Sequence, residues 1–231
     1  MQKLKAFTLA EILITMGIVG VIAALTVPDL VSDYQNKAMA VQIRKFSVEL
    51  NEAAELYLTD KGKSSLEATN IYNNVTDFIN NNYFNIAKTC ASAAGCFASE
   101  NYFSMDQSDT NETKSTSFTC DGGAYMLSSS VAICPIVTTR TITSMTPLLP
   151  TLTSHSLTFY VDINGPEPPN IGGRDMFKLN VSDTGVVWGD IEKTPTGVQM
   201  LGAVYCKESP LGESCFERLK NNNYNMNSNY F

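Results

Sequence analysis

The chain has 231 residues, of which 44% are hydrophobic and 17% charged, with six cysteines, one histidine and a net charge of −7. That apolar share suffices for one sizeable core. The acidic balance gives no broad attraction to polyanions, so no nucleic-acid partner is expected.

The first element is MQKLKAFTLAEILITMGIVGVIAALTVP. Lys3 and Lys5 precede a 21-residue apolar run, Phe7 to Val27, whose one charge is Glu11. At about 1.5 Å per residue the run spans roughly 31 Å, one hydrocarbon core. The positive-inside rule puts the basic start in the cytoplasm and everything after Pro28 outside. A conventional signal peptide shares these features, and Val21-Ile22-Ala23 offers it a cleavage site. Glu11 near the start of the run argues against that reading. Uncompensated, a carboxylate in a bilayer-length helix costs on the order of 2.5–3.5 kcal/mol, which marks Glu11 as functional and in need of a partner. Gly17, Gly20, Ala23 and Ala24 are small enough to let such helices approach closely. Pro28 removes a helix hydrogen bond and predicts a kink or local opening.

From Asp29 to about Thr59 there is no Gly or Pro. Tyr34, Ala38, Val41, Val48, Ala53, Leu56 and Tyr57 recur mostly at three, four or seven residues, which predicts an amphipathic helix. Joined to the apolar run, Phe7 to Thr59 makes one helix of roughly 80 Å. Its outer half must bury its stripe against the rest of the chain.

The sequence Lys5-Ala6-Phe7-Thr8-Leu9-Ala10-Glu11, with the apolar run and Pro28 behind it, resembles the N-terminal signal of type IV prepilins and type II secretion pseudopilins. The resemblance implies a leader of residues 1–6, cut by a prepilin peptidase between Ala6 and Phe7, with N-methylation of Phe7. Ala6 departs from the glycine usual before the cut. Loss of Lys3 and Lys5 with the leader would take the side-chain charge from −7 to −9. Glu11 becomes the counter-charge for a neighbouring subunit's terminal ammonium, two buried charges that offset one another. The implied fold is α+β, a pilin-like lollipop. Its long N-terminal helix (7–59, with 7–28 as transmembrane and filament core) packs on an antiparallel β-sheet head formed by 60–231. The implied partners are the prepilin peptidase, other pilin or pseudopilin subunits and the inner-membrane assembly platform. The chain would begin as a single-pass inner-membrane precursor and end in a periplasmic pseudopilus or an extracellular pilus.

Within the head, the spacing of Ile71, Val75, Phe78 and Ile79 predicts a helix over 68–81. Alternating or β-branched runs predict strands at 117–120, 124–127, 131–136, 157–163, 177–181 and 185–188. Proline and threonine predict a loop over 138–153, and the Asn-rich tail NNNYNMNSNYF reads as exposed or frayed. Trp188 is expected in the core or at a sheet edge. Six cysteines beyond a membrane segment read as disulfides, with fifteen complete pairings open. Sequence neighbours are the expected partners: Cys90 with Cys96, Cys120 with Cys134, and Cys206 with Cys215. The last of these resembles the C-terminal disulfide loop of many pilins. One histidine and no C-x-x-C pair argue against zinc.

Tyr160-Val161-Asp162-Ile163-Asn164-Gly165-Pro166 leads through Pro169-Asn170-Ile171-Gly172-Gly173-Arg174-Asp175 into a second strand. Asp162, Asn164, Asn170 and Asp175 offer oxygens that suit Ca2+, although the spacing is not that of an EF-hand. The competing reading is an Asx-turn hairpin in which these side chains bond their own backbone. No acid/base or phosphate-binding spacing emerges, and His155 stands alone, so no catalytic residue is assigned and the chain is read as non-enzymatic. Together these readings give a minor pilin or pseudopilin. The alternative is a secreted, disulfide-bonded binding or adhesive domain on a conventional signal peptide or permanent anchor.

Overall fold

The structure is a computed structural model and describes residues 8–80, 82–99, 101–106, 118–142, 152–190, 205–227 and 230–231. Helix α1 (Leu9–Lys61) is a single element of 53 residues. It runs through Pro28 without ending there, so the proline is not a stop. It closes at Gly62, whose left-handed backbone (φ 62°) lets its N–H reach the carbonyls of Leu58 and Thr59. The apolar half is long and hydrophobic enough to cross a membrane and stands clear of the head, with its large apolar side chains from Leu9 to Val31 exposed.

Burial begins at Ala40 and follows Ile43, Phe46, Leu50, Ala53, Ala54, Tyr57 and Leu58. Here the sequence expectation needs correcting: of the seven residues of the expected stripe only Ala53 and Tyr57 are buried, while Tyr34, Ala38, Val41, Val48 and Leu56 are exposed. The helix carries apolar residues on two sides. Val41 and Val48 each lie two residues, about 200°, from Ile43 and Leu50. Ile43, Phe46, Leu50 and Tyr57 supply the large side chains of the core, with the buried Ala40, Ala53 and Ala54 beside them.

Helix α2 (Val75–Asn80) is shorter than expected. Asn70 accepts from the amides of Asn73 and Asn74, so the residues before Val75 form turns in place of helix. Ile71, Val75, Phe78 and Ile79 are all buried nonetheless. Tyr57 meets Phe78 edge-on at 5.3 Å, and Phe78 meets Phe159 at 6.3 Å, which ties α1, α2 and the sheet together.

The sheet has six antiparallel strands in sequence order: β1 (Ile86–Cys90), β2 (Ala124–Leu127), β3 (Ala132–Ile142), β4 (Leu152–Asp162), β5 (Met176–Val181) and β6 (Val187–Trp188). Leu157, Phe159 and Val161 of β4 and Phe177, Leu179 and Val181 of β5 share the core with α1. On the opposite face Ala132, Cys134 and Met176 pack with Phe97, Ala98 and Tyr102. The expected loop over 138–153 is another correction, because β3 continues to Ile142 and β4 begins at Leu152, with residues 143–151 outside the described set. Thr138, Thr139, Thr141 and Ile142 are β-branched and extend the ladder. No strand forms at 118–120, where Cys120 is held to Cys134 and Asp121 N–H donates to the Pro135 carbonyl. Strand β6 is shorter than expected because Ser182–Gly185 is used in a turn, and Trp188 sits exposed on this edge strand.

Helix α3 (Cys215–Asn221) and the tail complete the head. The tail is not frayed where it is described: Met226 and Tyr230 are buried. The long helix, its exposed apolar half and the antiparallel sheet match the α+β lollipop expected from the sequence.

Candidate functional site

Two regions carry the residues singled out by the sequence. The first is the start of α1. Ala6 and Phe7 lie outside the described residues. Thr8 is the N-cap and Glu11 the third helical residue, and together they form a capping box. The Glu11 carboxylate accepts from the Thr8 amide at 2.8 Å and the Thr8 hydroxyl at 2.9 Å, while the Glu11 amide donates back to Thr8 Oγ1 at 3.2 Å. Glu11 therefore has a partner within its own chain, at the end of the helix whose dipole favours a negative charge. Sequence reasoning missed this cap, although the Thr-x-x-Glu pattern ahead of an apolar run could have signalled it.

The second region is the loop between β4 and β5. Asp162 and Asp175 are fully buried. Asp162 accepts from the Asn164 amide at 3.2 Å and from the Tyr102 hydroxyl. Asp175 accepts from the amides of Asn170 and Ile171, each at 2.6 Å. Burial, then the charge of Asp175, pushes Asp162 well above the usual carboxylate range. Burial likewise raises Asp175, to about 6. The Tyr102 phenol is raised by burial and then by the Asp162 charge. Tyr102 is 60 residues from Asp162 in the chain, and nothing in its surroundings marks it as a partner.

The bond from the Asn164 amide to Asp162 is the Asx turn set against calcium above, while Asp175 accepts from backbone amides four and five residues upstream. The Oδ1 atoms of Asn164 and Asn170 are buried without hydrogen-bond partners, which is the one feature that suits a cation. Among the described residues no three His, Cys, Asp or Glu side chains converge on a common point. Every carboxylate oxygen of Asp162 and Asp175 already holds a donor from the chain.

The loop is clamped from outside. A Cβ on Gly172 would lie 1.9 Å from the Ser209 carbonyl oxygen, and one on Gly212 would lie 2.0 Å from that of Met176. Backbone thus meets backbone where the Cys206–Cys215 loop crosses it, at a separation only glycine permits. Phe103 bridges Ile171, and Arg174 Nε donates to Asn36 Oδ1 of α1 at 3.1 Å, so the loop is also fixed to the long helix. All three neighbouring cysteine pairs stand at bonding distance: 2.07 Å for Cys90–Cys96, 2.01 Å for Cys120–Cys134 and 2.16 Å for Cys206–Cys215.

His155 lies on β4 with Nδ1 2.8 Å from Glu67 Oε1, and its ring stacks on Tyr72. It is held as a structural contact between strand and loop. Neither region assembles a nucleophile with a base. Comparison with protein families, with curated proteins and with solved structures found no significant match to this chain.

Proposed function

We propose that this protein is a structural subunit, a minor pilin or pseudopilin, made as a single-pass inner-membrane precursor, matured between Ala6 and Phe7, and polymerised through α1 into a type IV pilus or a type II secretion pseudopilus. The observation that carries the reading is α1 itself. A bilayer-length apolar half holding one carboxylate continues unbroken into a half that forms the spine of the head. A rigid apolar rod that leaves the head uncovered needs lipid before assembly and other rods after it. Its partners on this reading are the prepilin peptidase, sibling subunits and the assembly platform. The head, bound by disulfides and clamped loops, is the part presented outside.

Mass spectrometry of the N-terminal peptide, from protein expressed with its native secretion machinery, tests this. A chain beginning at N-methyl-Phe7 supports the filament subunit. A start near Ala24 or Leu25 makes this a conventionally secreted binding or adhesive domain, and an intact Met1 makes α1 a permanent anchor.

A further inference from the structure

Lys61, in the last turn of α1, pairs with Asp77 of α2 at 2.7 Å. The segment leading into α2 therefore sits at the end of the head remote from the apolar half of α1. There Tyr72, Asn73, Asn74 and Thr76 line a concave site of about 400 Å³ together with Asp121 and Thr139. That volume lies within the roughly 300–1,000 Å³ of small-molecule sites.

The walls are held from behind. Asp121 follows the Cys120–Cys134 disulfide, its N–H donates to the Pro135 carbonyl at 2.8 Å, and its Oδ2 accepts from the Val137 amide at 2.7 Å. The Tyr72 ring stacks on His155 at 5.0 Å and 19°, and His155 is fixed in turn by Glu67 at 2.8 Å. Burial raises the Tyr72 phenol to about 12, so at neutral pH it remains a hydrogen-bond donor. Among the described residues the lining supplies a carboxylate, two amides, two aliphatic hydroxyls and one aromatic ring, and no cation. Asn73 Nδ2 already donates to Asn70 Oδ1 at 3.1 Å and Asn74 Oδ1 accepts from the Thr76 hydroxyl, so Asn73 Oδ1, Asn74 Nδ2 and Asp121 Oδ1 are the groups offered to a ligand. An anionic ligand would be desolvated against Asp121 with no counter-charge. A ligand rich in neutral hydroxyls matches both the donors and the acceptors.

We propose that this site binds a neutral saccharide, packed by its C–H face on Tyr72 and hydrogen-bonded through its hydroxyls to Asp121, Asn73 and Asn74. The negative face of an aromatic ring attracts the weakly positive C–H groups of a sugar, and the surrounding carboxylate and amides fix its orientation. The site is independent of the filament reading and would serve a secreted domain equally.

The test is saturation-transfer NMR on the full chain in dodecylphosphocholine micelles, whose headgroup carries no sugar, with glucose, galactose, N-acetylglucosamine, N-acetylgalactosamine and lactose as probes. Transfer is expected to at least one sugar, weakened by at least about tenfold in Asp121→Asn and in Tyr72→Ala. Asp121→Asn keeps an oxygen for the Val137 amide, and Tyr72→Phe keeps the ring and should retain binding, so loss of the fold is told apart from loss of the site. Trp188→Ala, on the exposed edge strand, should bind as the parent does. The proposal is overturned if no probe shows transfer up to about 10 mM, if Asp121→Asn and Tyr72→Ala bind unchanged, or if spermidine binds there in place of every sugar.

Discussion

Tyr230 and Gly173, 57 residues apart, are joined by a 2.5 Å hydrogen bond in which the phenol donates to the Gly173 carbonyl. Tyr230 is fully buried beside Cys206, so the last residues of the chain close over the β4–β5 loop and the C-terminal disulfide together. Tyr230→Phe keeps the ring and leaves a buried carbonyl without its donor, a loss of about 1–3 kcal/mol. Equilibrium unfolding in urea should show it as a lower midpoint with an unchanged slope. An unchanged midpoint would mean that the tail does not lock the loop.

The two sides of α1 should respond very differently to truncation. Leu50→Ala opens a cavity in the core shared with β4 and β5 and should cost about 2–5 kcal/mol. Val41→Ala lies on the exposed side and should change stability by about 0.5 kcal/mol or less. Thermal melts of the two variants check the assignment. Equal losses would show that the exposed stripe is buried by a further contact.

That pair of residues also shows how far the sequence could be read. Helix α1 was legible because its apolar run and its helical periodicity contain no glycine after Gly20 and no terminator but Pro28, which a long helix tolerates. Its buried face was not, since Val41 and Ile43 are both apolar and only tertiary packing chooses between them. Strand β2, most of β5 and the parts of β3 and β4 at 132–136 and 157–162 were legible from alternating or β-branched runs, whereas the threonine-rich 138–142 of β3 was read as loop. Strand β1 was missed because Lys88 and Thr89 give it a polar edge. The Asn-rich composition of the tail hid Met226 and Tyr230, whose burial depends on a groove made by distant segments. The Thr8 cap was missed, although Thr-x-x-Glu ahead of an apolar run could have shown it. Tyr102, brought to Asp162 only by the fold, left no such signal.

Glu11 has two separable properties, its hydrogen bonds to Thr8 and its charge. Glu11→Gln keeps an oxygen for the Thr8 amide and removes the charge, whereas Glu11→Ala removes both. If a neighbour's terminal ammonium needs a negative partner, both variants should insert in the membrane yet enter filaments several-fold less than the parent. Immunoblotting of sheared filaments and of membranes reads the two steps. Normal incorporation of Glu11→Gln alongside a defective Glu11→Ala would assign the residue to the cap.

Calcium should leave the melting temperature of the head where EDTA leaves it, because the carboxylate oxygens of Asp162 and Asp175 already accept hydrogen bonds. A rise of several degrees in calcium, abolished by Asn164→Ala and by Asn170→Ala, would transfer these oxygens to a bound cation.

Asp162 and Asp175 also set the response of the head to pH. Both carboxyls titrate higher in the folded chain than the ordinary value of 3.8, Asp175 at about 6. The folded state therefore holds more protons than the unfolded state above about pH 4. Stability from these groups is full below that pH and falls as pH rises through the folded values, so the head should melt higher at pH 5 than at pH 7. The difference should be of the order of a few kcal/mol at most. Asp162→Asn leaves an acceptor for the Asn164 amide and a polar group for Tyr102 while removing the buried charge and its repulsion of Asp175. It should flatten the pH dependence and raise the melting temperature at pH 7. A variant less stable than the parent at pH 7, with the slope intact, would show that the ionised Asp162 is compensated by a positive group and that the pair is not the source of the pH response.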